Sequence, residues 1–424
     1  MIAADFVVRR IGRLVTMAGS APRIGADMSE IGVVENAALA ASRGRIVFAG
    51  PESGLDAAVA LAPDAVALDA EGAAVVPGFV DAHSHIVFAG DRDDEIRRRL
   101  AGASYQQIAE SGGGIVRTVV ATRAASPEDL VDGLLARLDE ALLQGTTTAE
   151  VKSGYGLETA AEIRSLEAIR AAGERHPVSV VPTFLGAHEV PLEHRENRER
   201  YVDLVVGEMI PEVARRRLAS FVDVFCEAGV FSVRESRRIL MAGRDHGLAL
   251  RLHADELAAT GGAELAGELH AHSADHLLFA SADGMRAMAE AGSVATLLPS
   301  AAFYLRLGRY APARAFIDAG VPIALATDAN PGGGLSPSMP FAMVLGCFSM
   351  GLSLEEALTA ATLNAAYSLD VHADRGSLEA GKLADFVILR SARILDLVRV
   401  GVPAVKTVVK EGRVVVRDGR RVSA

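Results

Sequence analysis

Cysteine is almost missing from this chain. The two present, Cys226 and Cys347, lie far apart and belong to no CxxC pair. A disulfide framework is excluded, and both residues read as free buried thiols of a reducing compartment. Positive charge is also short: 43 Lys and Arg face 54 Asp and Glu, a net charge of −11. That balance argues against nucleic acid and anionic membrane surfaces as partners. The arginine runs at 97–99 and 215–217 are too short to reverse it and read as solvated helix faces. No uninterrupted apolar run is long enough to span a membrane. The best candidate, residues 339–354, is broken by Pro340, Gly346 and Gly351 and runs into Glu355-Glu356. It reads as buried core. The first ten residues carry Asp5 and no long apolar stretch, so no secretory leader is expected. The expectation is a soluble cytoplasmic protein.

What the chain does have is length and apolar content. Its 424 residues, 50% hydrophobic, suffice for one large core and a small second domain. Residues 1–75 read as short strands and turns, strand-like at 5–10 and 45–49, with one weak alanine-rich helix near 55–61. Strands then alternate with capped amphipathic helices. Ser126-Pro127-Glu128-Asp129 places a cap, a proline at the first helical position and acids in the first turn. Thr159 with Glu162, Ser232 with Glu235 and Ser353 with Glu356 have capping-box spacing. Eight strands emerge, near 75–82, 146–151, 178–185, 221–225, 248–252, 273–277, 294–298 and 321–326. That count predicts an α/β fold, a parallel (β/α)8 TIM-like barrel over residues 76–375. Residues 376–424 return to strands joined by Glu411-Gly412 and Asp418-Gly419 turns. With residues 1–75 they would make a composite β-sandwich domain.

Polar residues recur just past the strand ends: His83 and His85, Lys152, His188, Glu227, His253, His276 and Asp328. In a barrel of this kind the strands' C-terminal ends carry function. Residues two apart on a strand share a face, so His83 and His85 form half of a metal site. His253 and Asp328 complete three imidazoles and one carboxylate, a donor set suited to one zinc or iron ion. Glu256, three residues past His253, is placed to shuttle a proton if a helix starts there. Asp255 beside it reads as a solvated acid. His276 is a candidate for oxyanion stabilisation, and His270 and His272 read as surface residues. Gly112-Gly113-Gly114 lacks the Lys-Ser/Thr of a phosphate loop and predicts a mobile active-site loop.

These residues carry a resemblance. His83-Ser84-His85, His253 and Asp328 resemble the amidohydrolase superfamily. Five further segments make the likeness closer: Val87-Phe88-Ala89-Gly90-Asp91-Arg92, Ser111-Gly112-Gly113-Gly114-Ile115, Glu150-Val151-Lys152-Ser153-Gly154-Tyr155-Gly156-Leu157, Thr183-Phe184-Leu185-Gly186-Ala187-His188 and Ser273-Ala274-Asp275-His276. Together they are similar to the imidazolonepropionase family of histidine degradation. The resemblance implies hydrolysis of 4-imidazolone-5-propanoate to N-formimidoyl-L-glutamate by a metal-activated water, in a homodimer whose partner is a small-molecule substrate. It implies that His83, His85, His253 and Asp328 bind one zinc or iron. Arg92, Tyr105, Tyr155 and His188 would contact substrate, with Asn330, Gly332 and Gly333 lining the pocket. The family usually carries Ser or Thr where Gly333 stands. The guanidinium of Arg92 would take the propionate, unless it is spent on Asp91, Asp93 or Asp94. Two other functions fit parts of the pattern: a mononuclear-metal heterocycle deaminase, and a metal-free scaffold protein. Lys152 raises a bridged metal pair, but lies on the second strand, whereas two-metal members of the superfamily carry that lysine on the fourth.

Overall fold

The protein is described by a computed structural model covering residues 1–102 and 113–422. Both chain ends build one mixed sheet. Its strands are β1 (Ile2–Val15), β2 (Val33–Ser42), β3 (Arg45–Pro51), β4 (Val59–Asp69) and β5 (Ala74–Pro77). The barrel strands follow: β6 (Phe79–Asp81), β7 (Thr146–Lys152), β8 (Ser179–Ala187), β9 (Phe221–Cys226), β10 (Ala249–Ala254), β11 (Ser273–His276), β12 (Val294–Leu297) and β13 (Ile323–Leu325). The chain then returns to the first sheet as β14 (Phe386–Leu389), β15 (Val405–Lys410), β16 (Arg413–Arg417) and β17 (Arg420–Arg421).

The end sheet runs β17-β16-β15-β14-β5-β1-β2-β3, with β4 paired to β1. N- and C-terminal strands meet at β5, where Val76 pairs with Val387. Phe6, Ile11, Leu39, Val75, Phe386 and Val409 form its separate core. The expected sandwich is thus one sheet stitched from both ends around its own core. The weak helix near 55–61 shrinks to Leu55–Ala58, and the following residues are strand β4. Its side chains are mostly exposed. An edge strand of this kind has no buried face to impose alternation, so its pattern was silent.

The eight barrel strands pair in chain order, all parallel. The seam between β13 and β6 is closed by their tails: Asp328 N donates to His83 O and His85 N to Ala329 O. The run expected at 75–82 is split at Gly78, its first half joining the end sheet. A Cβ on Gly78 would come within 2.3 Å of the Thr147 side chain, so only glycine lets the chain pass from one sheet to the other. Three helices start with the expected caps, at Ser126, Ser232 and Ser353. The fourth does not. Glu162 is buried and accepts from Gly154 N, Gly156 N and Leu157 N. It ties down the loop after β7, not its own helix start. Residues 339–350 form a helix with buried Met339, Met343 and Leu345, as expected of core. Among the described residues no helix is long and apolar enough to cross a membrane.

Phe386 is fully buried against Phe6, ring centroids 6.2 Å apart. Phe386→Ala should cost about 3–5 kcal/mol in urea unfolding if the end sheet folds with the barrel. A loss below about 1 kcal/mol would show that this core contributes little.

Candidate active site and metal centre

Three imidazoles converge at the barrel mouth. His83 and His85 leave β6 and share a direction, and His253 stands near the end of β10. His83 Nε2 lies 3.1 Å from His85 Nε2, which lies 3.2 Å from His253 Nε2. All three are buried. Each outer ring is held from below. Asp275 Oδ2 stands 2.6 Å from His83 Nδ1, and Asp223 Oδ1 stands 3.1 Å from His253 Nδ1. A carboxylate there accepts from Nδ1–H and so leaves Nε2 as a lone pair aimed at the centre. Converging lone pairs repel unless a cation lies among them. Two nitrogens each about 2.0–2.1 Å from one ion can stand no more than about 4.2 Å apart, and both gaps meet that limit. Asp328 Oδ1 lies 3.6 Å from His83 Nε2 and 3.5 Å from His85 Nε2, buried and without a hydrogen-bond partner among the described residues. An orphan carboxylate oxygen beside these nitrogens is what a bound metal would satisfy. The residues present fit a metal ion.

Electrostatics favour ligation by two of the three rings. Burial, and then the Lys152 charge, hold His83 far below the usual histidine range; burial and His188 do the same for His85. Both rings are therefore neutral and able to ligate. Burial opposes protonation of His253 too, but Asp223 outweighs it and raises that ring. Glu256 is pushed up to about 8 by burial and by the Asp328 charge. Burial carries Asp328 to about 7. A cation at the centre would draw both down again.

Glu256 lies in the cavity wall beside His276, whose Nδ1 is 3.6 Å from Glu256 Oε1. No helix starts there; the chain bends with Asp255 at φ 50°. Asp255 is not a solvated acid. It is buried and accepts from Thr260 N, Gly261 N and Ala263 N, folding the loop on itself. Glu227 accepts from Glu256 N and Leu257 N and fixes the loop from β9.

The cavity over the imidazoles is also lined by Arg92, Tyr155, His188, Asn330, Gly332 and Gly333. Tyr105 lies outside the described residues, as do Ser111 and Gly112. His188 stacks on His85 with centroids 4.9 Å apart, and burial holds it down to about 3. Asn330 spends its amide on its own loop: Oδ1 accepts from Gly332 N and Gly333 N, and Nδ2 donates to Asp328 O. Arg92 is not spent on its aspartate neighbours. Its partner is buried Glu95, which faces Nε and Nη2 at 2.8 Å and also accepts from Gly114 N. A Cβ on Gly332 would stand 2.0 Å from Arg92 Nη1. Arg99, expected on a solvated face, is buried and donates to Gly332 O. His270 and His272 are exposed, as expected.

The reading of the sequence missed Phe225, Glu189, Ile115 and Leu305 in the cavity wall and the charged layer beneath it. Asp223 did leave a signal: a lone acid inside the apolar strand Phe221-Val222-Asp223-Val224-Phe225 needs a buried partner.

A parallel barrel with a three-histidine floor and an acid at the closing seam defines a class of metal-dependent hydrolase. The Amidohydrolase family model matches residues 74–415, and the chain belongs to that family. Within it, the chain is similar to imidazolonepropionases. It is 52% identical to that of Symbiobacterium thermophilum, over 99% of both chains. It is 48% identical to that of Geobacillus kaustophilus, over 97% of this chain and 98% of the relative. Among solved structures, an adenosine deaminase from Xanthomonas campestris with bound zinc shares the fold. Its TM-score is 0.76 at 19% identity, over 100% of this chain and 95% of that one.

His85 Nε2 lies within 3.2 Å of the Nε2 atoms of both other rings. His85→Ala should abolish tight metal binding, read by elemental analysis after dialysis. Metal content equal to the parent's would contradict the site.

Proposed function

We propose that this chain hydrolyses the cyclic amide of 4-imidazolone-5-propanoate to N-formimidoyl-L-glutamate, using one zinc or iron ion per chain. The observation that carries the proposal is a buried guanidinium, Arg92, in the wall of the same cavity that His85, His253 and Asp328 line. That arrangement suits a small molecule with a ring at one end and a carboxylate at the other. His83, His85 and His253, with Asp328, would hold the ion. When bound, the ion supplies Lewis acidity that makes a water nucleophilic near neutral pH.

Hydrolysis joins the water oxygen to the ring carbonyl carbon, breaks the carbonyl carbon–nitrogen bond and delivers a proton to the departing nitrogen. Glu256 carries that proton: burial favours its protonated form and the ion draws against it, which poises the carboxyl to exchange a proton near neutral pH. His276, neutral and buried, offers a ring N–H to the developing oxyanion. Arg92, its Nε edge fixed by Glu95, takes the propionate. Tyr155 and His188 wall the ring, Gly332 lets the guanidinium pack against the backbone of the Asn330 loop, and Gly333 lines the pocket against Leu305. The same reading includes a homodimer, a cytoplasmic location, and division into a composite domain (1–75 with 376–424) and a catalytic barrel (76–375).

Two variants test it. A charge-assisted contact to a carboxylate is worth about 1.5–3 kcal/mol. Arg92→Met should therefore raise KM for imidazolonepropionate by about one to two orders of magnitude, and barely change it for an analogue without the carboxylate. Equal responses would remove Arg92 from substrate recognition. Glu256→Gln should keep the metal and lower kcat by about 10²–10⁴-fold. Turnover near that of the parent would refute its proton-transfer role.

A further inference from the structure

Lys152 has no part in the reaction described above, yet it is fully buried below the site. Five charged side chains without exposure form a layer inside the barrel: Glu150 and Lys152 on β7, Asp223 on β9, Arg251 on β10 and Asp275 on β11. Strand alternation sends all five inward. Lys152 Nζ donates to Asp223 Oδ2 at 2.7 Å and to Glu150 Oε1 at 2.9 Å, and lies 3.7 Å from Asp275 Oδ2. The same two aspartates reach up to the imidazoles. Asp223 Oδ1 faces His253 Nδ1, and Asp275 Oδ2 faces His83 Nδ1. One ammonium therefore stands between the carboxylates that orient two of the three rings. Arg251 braces the far side, donating to Asp275 Oδ2 and to Ala82 O.

We propose that Lys152 is a positioning residue of the metal centre. It fixes Asp223 and Asp275, and through them aims the Nε2 lone pairs of His253 and His83. Without it, three buried carboxylates would face Arg251 as the one remaining cation of the layer. A buried carboxylate that loses its partner swings toward another, and that movement frees the imidazole that it held. The surroundings also decide what Lys152 is. A carbamate on Nζ would add a fourth anion among three carboxylates, so the residue acts as an ammonium and not as a bridging ligand.

The inference rests on reading the three imidazoles as a metal site. The test is metal affinity, measured by chelator competition on Lys152→Met, with circular dichroism to establish folding. Loss of a partner that orients a ligand typically lowers metal affinity about 10–100-fold. A loss of that order is expected, while KM at saturating metal stays within about threefold, because Lys152 does not line the cavity. A folded Lys152→Met whose metal affinity is within about threefold of the parent's would overturn the proposal, since space-filling alone would leave affinity intact. If Lys152→Met does not fold, Asp275→Asn decides. It keeps the volume, leaves Lys152 paired with Asp223 and Glu150, and should show the same 10–100-fold loss. Unchanged affinity there would overturn the proposal equally. Failure of the underlying reading looks different: the parent protein itself would bind no metal, before any variant is compared.

Discussion

Buried charges are tolerated only when each finds a partner, and the interior of this barrel is built on that constraint. Barrels of this type are commonly filled with branched apolar side chains. Here Lys152, Arg251, Asp223, Asp275 and Glu150 fill one level and pair with one another. Their pairing leaves two carboxylate oxygens pointing toward the mouth, and these settle which nitrogen of His83 and His253 carries a proton. The geometry at the surface of the site is thus set one level below it.

The seam adds a second constraint. Strands β6 and β13 meet through the tails that carry His83, His85 and Asp328. Asp81 strengthens the join by accepting from Thr327 N and Oγ1. Closing the barrel and bringing Asp328 to the imidazoles are one event. Above this floor the loops supply contacts and not framework: Glu95 holds Arg92, Glu162 holds the loop with Tyr155, and Glu227 holds the backbone at Glu256. In each case a buried carboxylate accepts from a neighbouring group and fixes one wall of the cavity. The heterocycle deaminase alternative would share the floor. It gains no support from Arg92, because a carboxylate anchor is needed only by a substrate that carries an acid.

Much of this was legible from the chain. The eight barrel strands and the histidines at their ends follow from periods of two and from turn signals, and three of the four expected helix caps formed. What escaped was long-range. Lys152 and Asp223 are 71 residues apart, and His83 and Asp275 are 192 apart, so no local window joins them. Strand β4 escaped because an exposed edge shows no alternation. Glu162 was expected to cap its helix and Asp255 to face water; both turn inward to gather backbone N–H groups, and the local sequence around an acid does not show which way it turns. Arg92 was weighed against its adjacent aspartates. The partner proved to be Glu95, one helical turn on, where both side chains face the interior.

The central claim is that this site opens a cyclic amide and leaves every nitrogen in the product. The most direct measurement is to incubate the metal-loaded protein with 4-imidazolone-5-propanoate, follow the ring absorbance, and identify the product by mass spectrometry with a parallel ammonia assay. The account predicts loss of the ring chromophore, a product one water heavier that matches N-formimidoyl-L-glutamate, and no ammonia. Ammonia released in step with turnover, or an intact ring after prolonged incubation with metal-replete protein, would contradict it.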